Sequence, residues 1–191
     1  MFWKRERHRT LKGLAAGALG GLVGSFAMNQ FQAGMSKLFE HRQQPPEKKE
    51  RARQAQGWKE HREPGNSQDT DVENATVKAA AAVSKAVFHH ELEPEERQPA
   101  GNAIHYAFGA VAGALYGSAA EDWDAIRAGA GTAFGGALWL TSDEIAVPLL
   151  KLSKAPQEYP LHVHAMALAA HLVYGVSTEL ARRVLRGSLR S

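Results

Sequence analysis

Residues 13–36 (GLAAGALGGLVGSFAMNQFQAGMS) form a stretch of 24 without a single charge. About 20 helical residues cross a hydrocarbon core, so the stretch reads as a transmembrane helix. A signal peptide has similar basic and apolar parts, but it ends at a small-residue cleavage site. Ala33-Gly34-Met35 is a poor match to one, which favours a retained helix.

Two further runs share this character. Residues 98–120 (23 residues) close on Glu121-Asp122-Trp123-Asp124, and residues 159–178 (YPLHVHAMALAAHLVYGVST) end at Glu179 and an arginine cluster. A third helix is expected from about 125 to 148. Its uncharged core, 128–142, has only 15 residues before Asp143-Glu144 and Pro148. The expected fold is therefore all-α, an integral membrane bundle of about four Gly/Ala-rich transmembrane helices.

Average composition hides this division: 44% of residues are hydrophobic and 23% charged, as in many soluble chains. The charge is segregated. Residues 37–97 hold 11 of the 23 basic and 12 of the 20 acidic residues, with Pro45-Pro46 and Glu63-Pro64-Gly65-Asn66, and read as an extramembrane loop. Within it, Val72, Ala75, Ala79, Ala80, Val83, Ala86 and Val87 recur at helical spacing, so residues 71–89 are expected to form an amphipathic helix on the membrane or on the bundle. Three parts follow: 1–36, the basic N-terminus and first span; 37–97, the loop; and 98–191, three spans and a basic C-terminus.

Basic residues gather at the two ends, as Lys4, Arg5, Arg7, Arg9, Lys12 and then Arg182, Arg183, Arg186, Arg190. Four spans place both ends on one side, the cytoplasm by the positive-inside tendency. This distribution suits anionic headgroups rather than a nucleic-acid groove. The expected partners are the lipid bilayer and another copy of the chain or a second membrane protein, with no nucleic acid. Zero cysteines exclude disulfides, thiolate metal sites and a thiol nucleophile. Ser25, Ser118 and Ser177 lack a Gly-x-Ser-x-Gly context, so the expectation is a protein without enzymatic activity and without a cofactor.

Glycine recurs at intervals of four: Gly13, Gly17, Gly21 in the first span, Gly109, Gly113, Gly117 in the second, and Gly131, Gly135 in the third. Glycine weakens a helix in water by about 1 kcal/mol relative to alanine, whereas in lipid such a stripe lets backbones approach. Gly17, Gly21, Gly109, Gly113, Gly117, Gly131, Gly135 and Gly175 are thus expected at helix–helix contacts. Trp3, Trp123, Trp139 and Tyr159 are expected as interfacial anchors or packing residues.

Ionisable side chains on apolar helices must face protein or water. His105, Asp143, Glu144, His164, His171 and Glu179 form the candidate polar site within the membrane. One reading makes the histidines interhelical hydrogen-bond partners and the acids helix-end caps. The other makes the group a proton-responsive or transport site. No metal is expected, because neither His-x3-His nor Glu-x-x-His occurs where a di-metal bundle would need it. His105-Tyr106-Ala107-Phe108-Gly109 also echoes His171-Leu172-Val173-Tyr174-Gly175, and Gly20-Gly21 echoes Gly135-Gly136; two tandem hairpins would explain this, and chance similarity among Gly/Ala-rich helices explains it more simply.

Together with Tyr116-Gly117, Trp139, Asp143-Glu144, Pro148, Tyr159-Pro160, Thr178-Glu179 and Arg182-Arg183, these motifs resemble the YagU-like family of uncharacterised bacterial inner-membrane proteins. The resemblance implies a multi-pass inner-membrane location and no reaction, and it directs attention to Trp139, Glu144, His171, Gly175 and Glu179. Three functional readings remain: an accessory or stress-related membrane factor, a small transporter or proton-responsive element, and a soluble or peripheral helical bundle.

Overall fold

The computed structural model describes residues 2–43 and 67–188. All regular structure among them is helical: α1 (Phe2–Gln43), α2 (Ser67–Val83), α3 (Pro94–Asp122), α4 (Thr132–Trp139) and α5 (Leu161–Ser188). A π-helical turn, Ser84–Phe88, extends α2, and a 3-10 segment, Asp124–Gly131, leads into α4. A second π-helical segment, Leu140–Ala146, continues α4.

α1 is the spine, packed against α3 on one side and α5 on another, while α2 covers α3 and α4 covers α5. Glycine sets the register. A Cβ built on Gly13, Gly17 or Gly21 would meet the carbonyl oxygen of Gly117, Gly113 or Gly109 in turn, so α1 and α3 run antiparallel with glycine facing glycine over two helical turns. On its other side, α1 sets Gly20 against the Thr178 carbonyl and Gly24 against that of Tyr174. The α4–α5 pair repeats the device, with Gly131 and Gly175 against each other and Gly135 against the His171 carbonyl. All eight glycines expected at helix contacts lie at one of these crossings.

The third expected helix departs most from the sequence reading. It does not begin at 125, because Ala128 is extended and Gly129, Ala130 and Gly131 have positive φ (69°, 53° and 94°), so α4 starts at Thr132. Downstream, the Pro148 ring has no N–H and crowds the carbonyl of Glu144, and the helix widens to π geometry over Leu140–Ala146. α3 begins at Pro94 rather than 98. There Pro94 takes the first helical position and the Glu96 carboxylate accepts the Glu93 N–H at 2.9 Å. The amphipathic segment spans Ser67 to Phe88 and stops where His89 turns left-handed; of the two supports expected for it, it rests on α3, burying Ala75, Ala80 and Ser84. The part of the 37–97 loop between 44 and 66 lies outside the described residues.

Of the four expected spans, one helix, Arg9–Phe39 within α1, combines length with the apolarity needed to cross a membrane, at a mean hydropathy of 1.4. α3 (29 residues) and α5 (28 residues) are long enough. Their glycines, alanines and histidines keep them less apolar.

Candidate functional site

The antiparallel packing brings the N-terminal half of α1, the C-termini of α3 and α5 and the start of α4 to one end of the bundle. A buried ionic network occupies it. Glu179 is fully buried (0% exposed) and accepts from Arg182 Nε at 2.6 Å, Arg183 Nε at 2.6 Å and the Tyr116 hydroxyl at 2.9 Å. Beside it, Glu121 receives a bidentate pair from Arg186 at 2.6 and 2.5 Å, and Arg182 bridges the two acids, 3.7 Å from Glu121. Arg9 of α1 donates to the Glu121 carbonyl at 2.5 Å. The Arg186 guanidinium holds the Glu121 carboxyl below the ordinary carboxylate range, and Glu121 in turn raises Arg186. Two carboxylates are surrounded by four guanidiniums, which meets the requirement that buried charge be paired.

Towards the other end lies a cavity of about 500 Å³, walled mainly by apolar side chains from all five helices. It gathers five of the six expected polar residues: His105 from α3, Asp143 and Glu144 from the π segment, and His164 and His171 from α5. The wide turn brings the adjacent Asp143 and Glu144 to one wall. Glu179, the sixth, is not among them, because it lies two turns beyond His171 along α5, in the arginine network.

Hydrogen-bond geometry divides the five. His164 Nε2 donates to the Pro156 carbonyl at 3.0 Å, and its Nδ1 lies 2.6 Å from Glu144 Oε1. A carbonyl can only accept, so the proton between Nδ1 and Glu144 is shared by a pair whose net charge is zero. His171 Nδ1 donates to the Ala167 carbonyl at 2.9 Å and stays 3.6 Å from Asp143 Oδ2, beyond a good hydrogen bond. Asp143 Oδ1 accepts from the Ser142 hydroxyl at 2.9 Å. Three polar atoms at this cavity are unsatisfied or nearly so: Asp143 Oδ2, His105 Nε2 and the hydroxyl of Ser25, a residue only 1% exposed. Among the described residues, no group of three or more His, Asp or Glu has an arrangement that would hold a metal ion.

An aromatic layer separates the two sites. Tyr116 stacks on Phe134 at 4.3 Å between ring centres, and Phe134 meets Tyr174 at 5.7 Å. Tyr174 donates to the Gly109 carbonyl at 2.6 Å, and with Met28 and Ala170 it forms the small hydrophobic core. Of the expected anchors, Trp123 is exposed, Trp139 is packed with its indole N–H buried and unpartnered, and Tyr159 lines the cavity edge-on to His164. The side chain of Trp3 lies outside the described residues.

Sequence reasoning missed Glu121, Tyr116 and Arg9 as partners. The spacing of Glu179 to Arg182 and Arg183 was a readable signal for i,i+3 and i,i+4 pairing, whereas the Glu121–Arg186 contact spans 65 residues and leaves no local trace. No curated protein and no solved structure matches the chain. A family model described as "Protein of unknown function (DUF1440)" matches residues 33–180, a stretch covering α2, α3, α4, most of α5 and the cavity walls other than the one α1 supplies, and the chain belongs to that family.

Proposed function

We propose that this protein is a multi-pass bacterial inner-membrane protein of the YagU-like kind, an accessory or stress-related membrane factor without enzymatic activity. Its polarity, inverted relative to a soluble bundle, carries the reading. Of the nine buried hydrophobic residues among the described ones, six are alanine and the others Met28, Tyr116 and Tyr174, and glycine, serine, threonine, His171 and paired charges fill much of the remaining interior. The large apolar side chains face outward: Leu19, Phe26, Val111 (60% exposed), Leu115 (65% exposed), Leu161 and Val184. Water would penalise such a surface, whereas lipid tails solvate it and leave close backbone packing as the source of helix association. Four spans would set the arginine network at the cytoplasmic face and the mouth of the cavity towards the opposite side.

The test is membrane fractionation with an alkaline carbonate wash, followed by labelling of single thiols in a chain that has none of its own. Retention in the pellet is expected, with Phe88→Cys labelled from outside intact cells and Trp123→Cys labelled only after permeabilisation. Release into the wash would overturn the reading in favour of a peripheral bundle.

The clustering of His105, Asp143, Glu144, His164 and His171 at one cavity supports a second reading, a proton-responsive element. The aromatic layer of Tyr116, Phe134 and Tyr174 stands between this cluster and Glu179, so a through-path for protons would have to cross it. Flux into liposomes that is lost in His171→Ala would favour transport. Absent flux across the acid range would eliminate it.

A further inference from the structure

We propose that the cavity walled by the five helices binds a small apolar molecule carrying a protonated amine. The proposal goes beyond the membrane reading and is separable from it, since release by carbonate would sink that reading and leave binding unchanged. Three observations converge. The volume of about 500 Å³ is that of a site for a drug-sized molecule, and its walls are mainly apolar. Charge selects the sign of the ligand. The Glu144–His164 pair is internally neutral and His171 commits its Nδ1–H to a backbone carbonyl, so Asp143 is the one lining carboxylate without a cationic hydrogen-bond partner. The one lining lysine, Lys154, is exposed on the loop before α5 and makes no hydrogen bond to Asp143, so an anion beside Asp143 would meet a carboxylate with no cation hydrogen-bonded to it.

Unsatisfied atoms select the head group. The Ser25 hydroxyl and His105 Nε2 are buried without partners at the cavity wall, and Asp143 Oδ2 lacks a close donor. An ammonium group carries several N–H donors and one positive charge, which matches Asp143 Oδ2, the one of the three that the cavity leaves accessible. Its apolar remainder would occupy the wall formed by Met28, Phe108 and Leu138, where an aromatic face also favours a nearby cation.

The experiment is calorimetric titration of the full-length protein in detergent micelles against three probes sharing one hydrocarbon cage: 1-aminoadamantane, 1-adamantanol and 1-adamantanecarboxylate. Empty micelles provide the baseline. One saturable site per chain is expected for the amine, ~10-fold or more tighter than for the carboxylate, as charge complementarity in a desolvated pocket requires. Asp143→Asn, whose folding is checked by thermal melting, should weaken the amine ~10-fold and leave the alcohol nearly unchanged. If that variant does not fold, Ala167→Phe, which fills the cavity from α5, should abolish binding of both. Equal or tighter binding of the carboxylate, or amine binding that survives these substitutions or matches empty micelles, would overturn the proposal.

Discussion

Replacing Gly113 by alanine tests whether the glycine register holds the bundle together. The added Cβ would enter the space of the Gly17 carbonyl oxygen and stand 2.8 Å from Gly21 Cα and 2.9 Å from Gly21 N. These are backbone atoms, so no side chain can swing aside. Restoring ordinary contact with the Gly17 carbonyl oxygen, the nearest of these atoms, requires α1 and α3 to separate by roughly 1 Å, and a gap of that size forfeits about half of each dispersion contact along the seam. Overpacking of this kind costs about 1–3 kcal/mol. Gly34 and Gly136 are the internal controls, since a Cβ on either meets nothing within 4 Å. Alanine there should be neutral or stabilising by up to about 1 kcal/mol through helix propensity alone. The assay is thermal melting of purified protein in one detergent, read by circular dichroism and by retention of the monodisperse species. Opposite signs at Gly113 and at the two controls are expected. A Gly113→Ala protein that melts at or above the wild-type temperature would refute the argument, because no alternative source of tight α1–α3 packing remains at that level.

Other outcomes follow from the arginine network. Glu179→Gln removes the carboxylate hydrogen-bonded to buried Arg182, leaving it only Glu121 at 3.7 Å, and should cost about 3 kcal/mol, seen as a large drop in melting temperature. Tyr116→Phe removes one hydrogen bond to that carboxylate while preserving the stack on Phe134, a loss of about 1.5–3 kcal/mol by the same measurement. The pH dependence has a definite sign: the carboxyl of Glu121 is held below its ordinary value of 4.5 by Arg186, so its contribution is complete above that value and is lost as pH falls through the lower folded value. The melting-temperature difference between wild type and Glu121→Gln should stay constant from neutral pH down to about 5 and shrink below 4.5. A difference that grows on acidification would contradict the pairing.

The helical class, the polar residues placed on apolar helices and the glycine stripes could be read from the sequence, because each depends on spacing along one helix, whereas the contacts of Gly20, Gly24 and Gly101 could not. Gly109, Gly113 and Gly117 recur at four-residue intervals, and that periodicity marks a face whatever lies opposite it. Identity of the partner helix is not encoded in that way. Glu179 shares a helical stripe with His164 and His171, which is why all three looked like one site; two turns of axial distance put it instead on the far side of the Phe134 layer. The break before α4 was likewise hidden, since Ala128-Gly129-Ala130-Gly131 reads as a small-residue helix start and only the tertiary fit sets its left-handed backbone. The late start and the π segment share one effect, carrying Asp143 and Glu144 to the cavity wall.

The internal echo acquires physical content from this geometry. In each hairpin a glycine of the second helix meets a glycine of the first, Gly109 with Gly21 and Gly175 with Gly131, and a histidine stands one turn earlier, His105 and His171. Both histidines border the same cavity, because the two hairpins dock through α1 and α5 with the second helix of each running in the same direction. The cavity lies where the two hairpins meet, and its chemistry is set by what differs between them. α4 carries the Pro148-driven π segment with Asp143 and Glu144, whereas α1 presents Ser25, whose hydroxyl is packed against Gly109 without a hydrogen-bond partner. That asymmetry leaves the second oxygen of Asp143 without a close donor at an apolar cavity, and the physical cost of such a group falls when something that donates to it is bound.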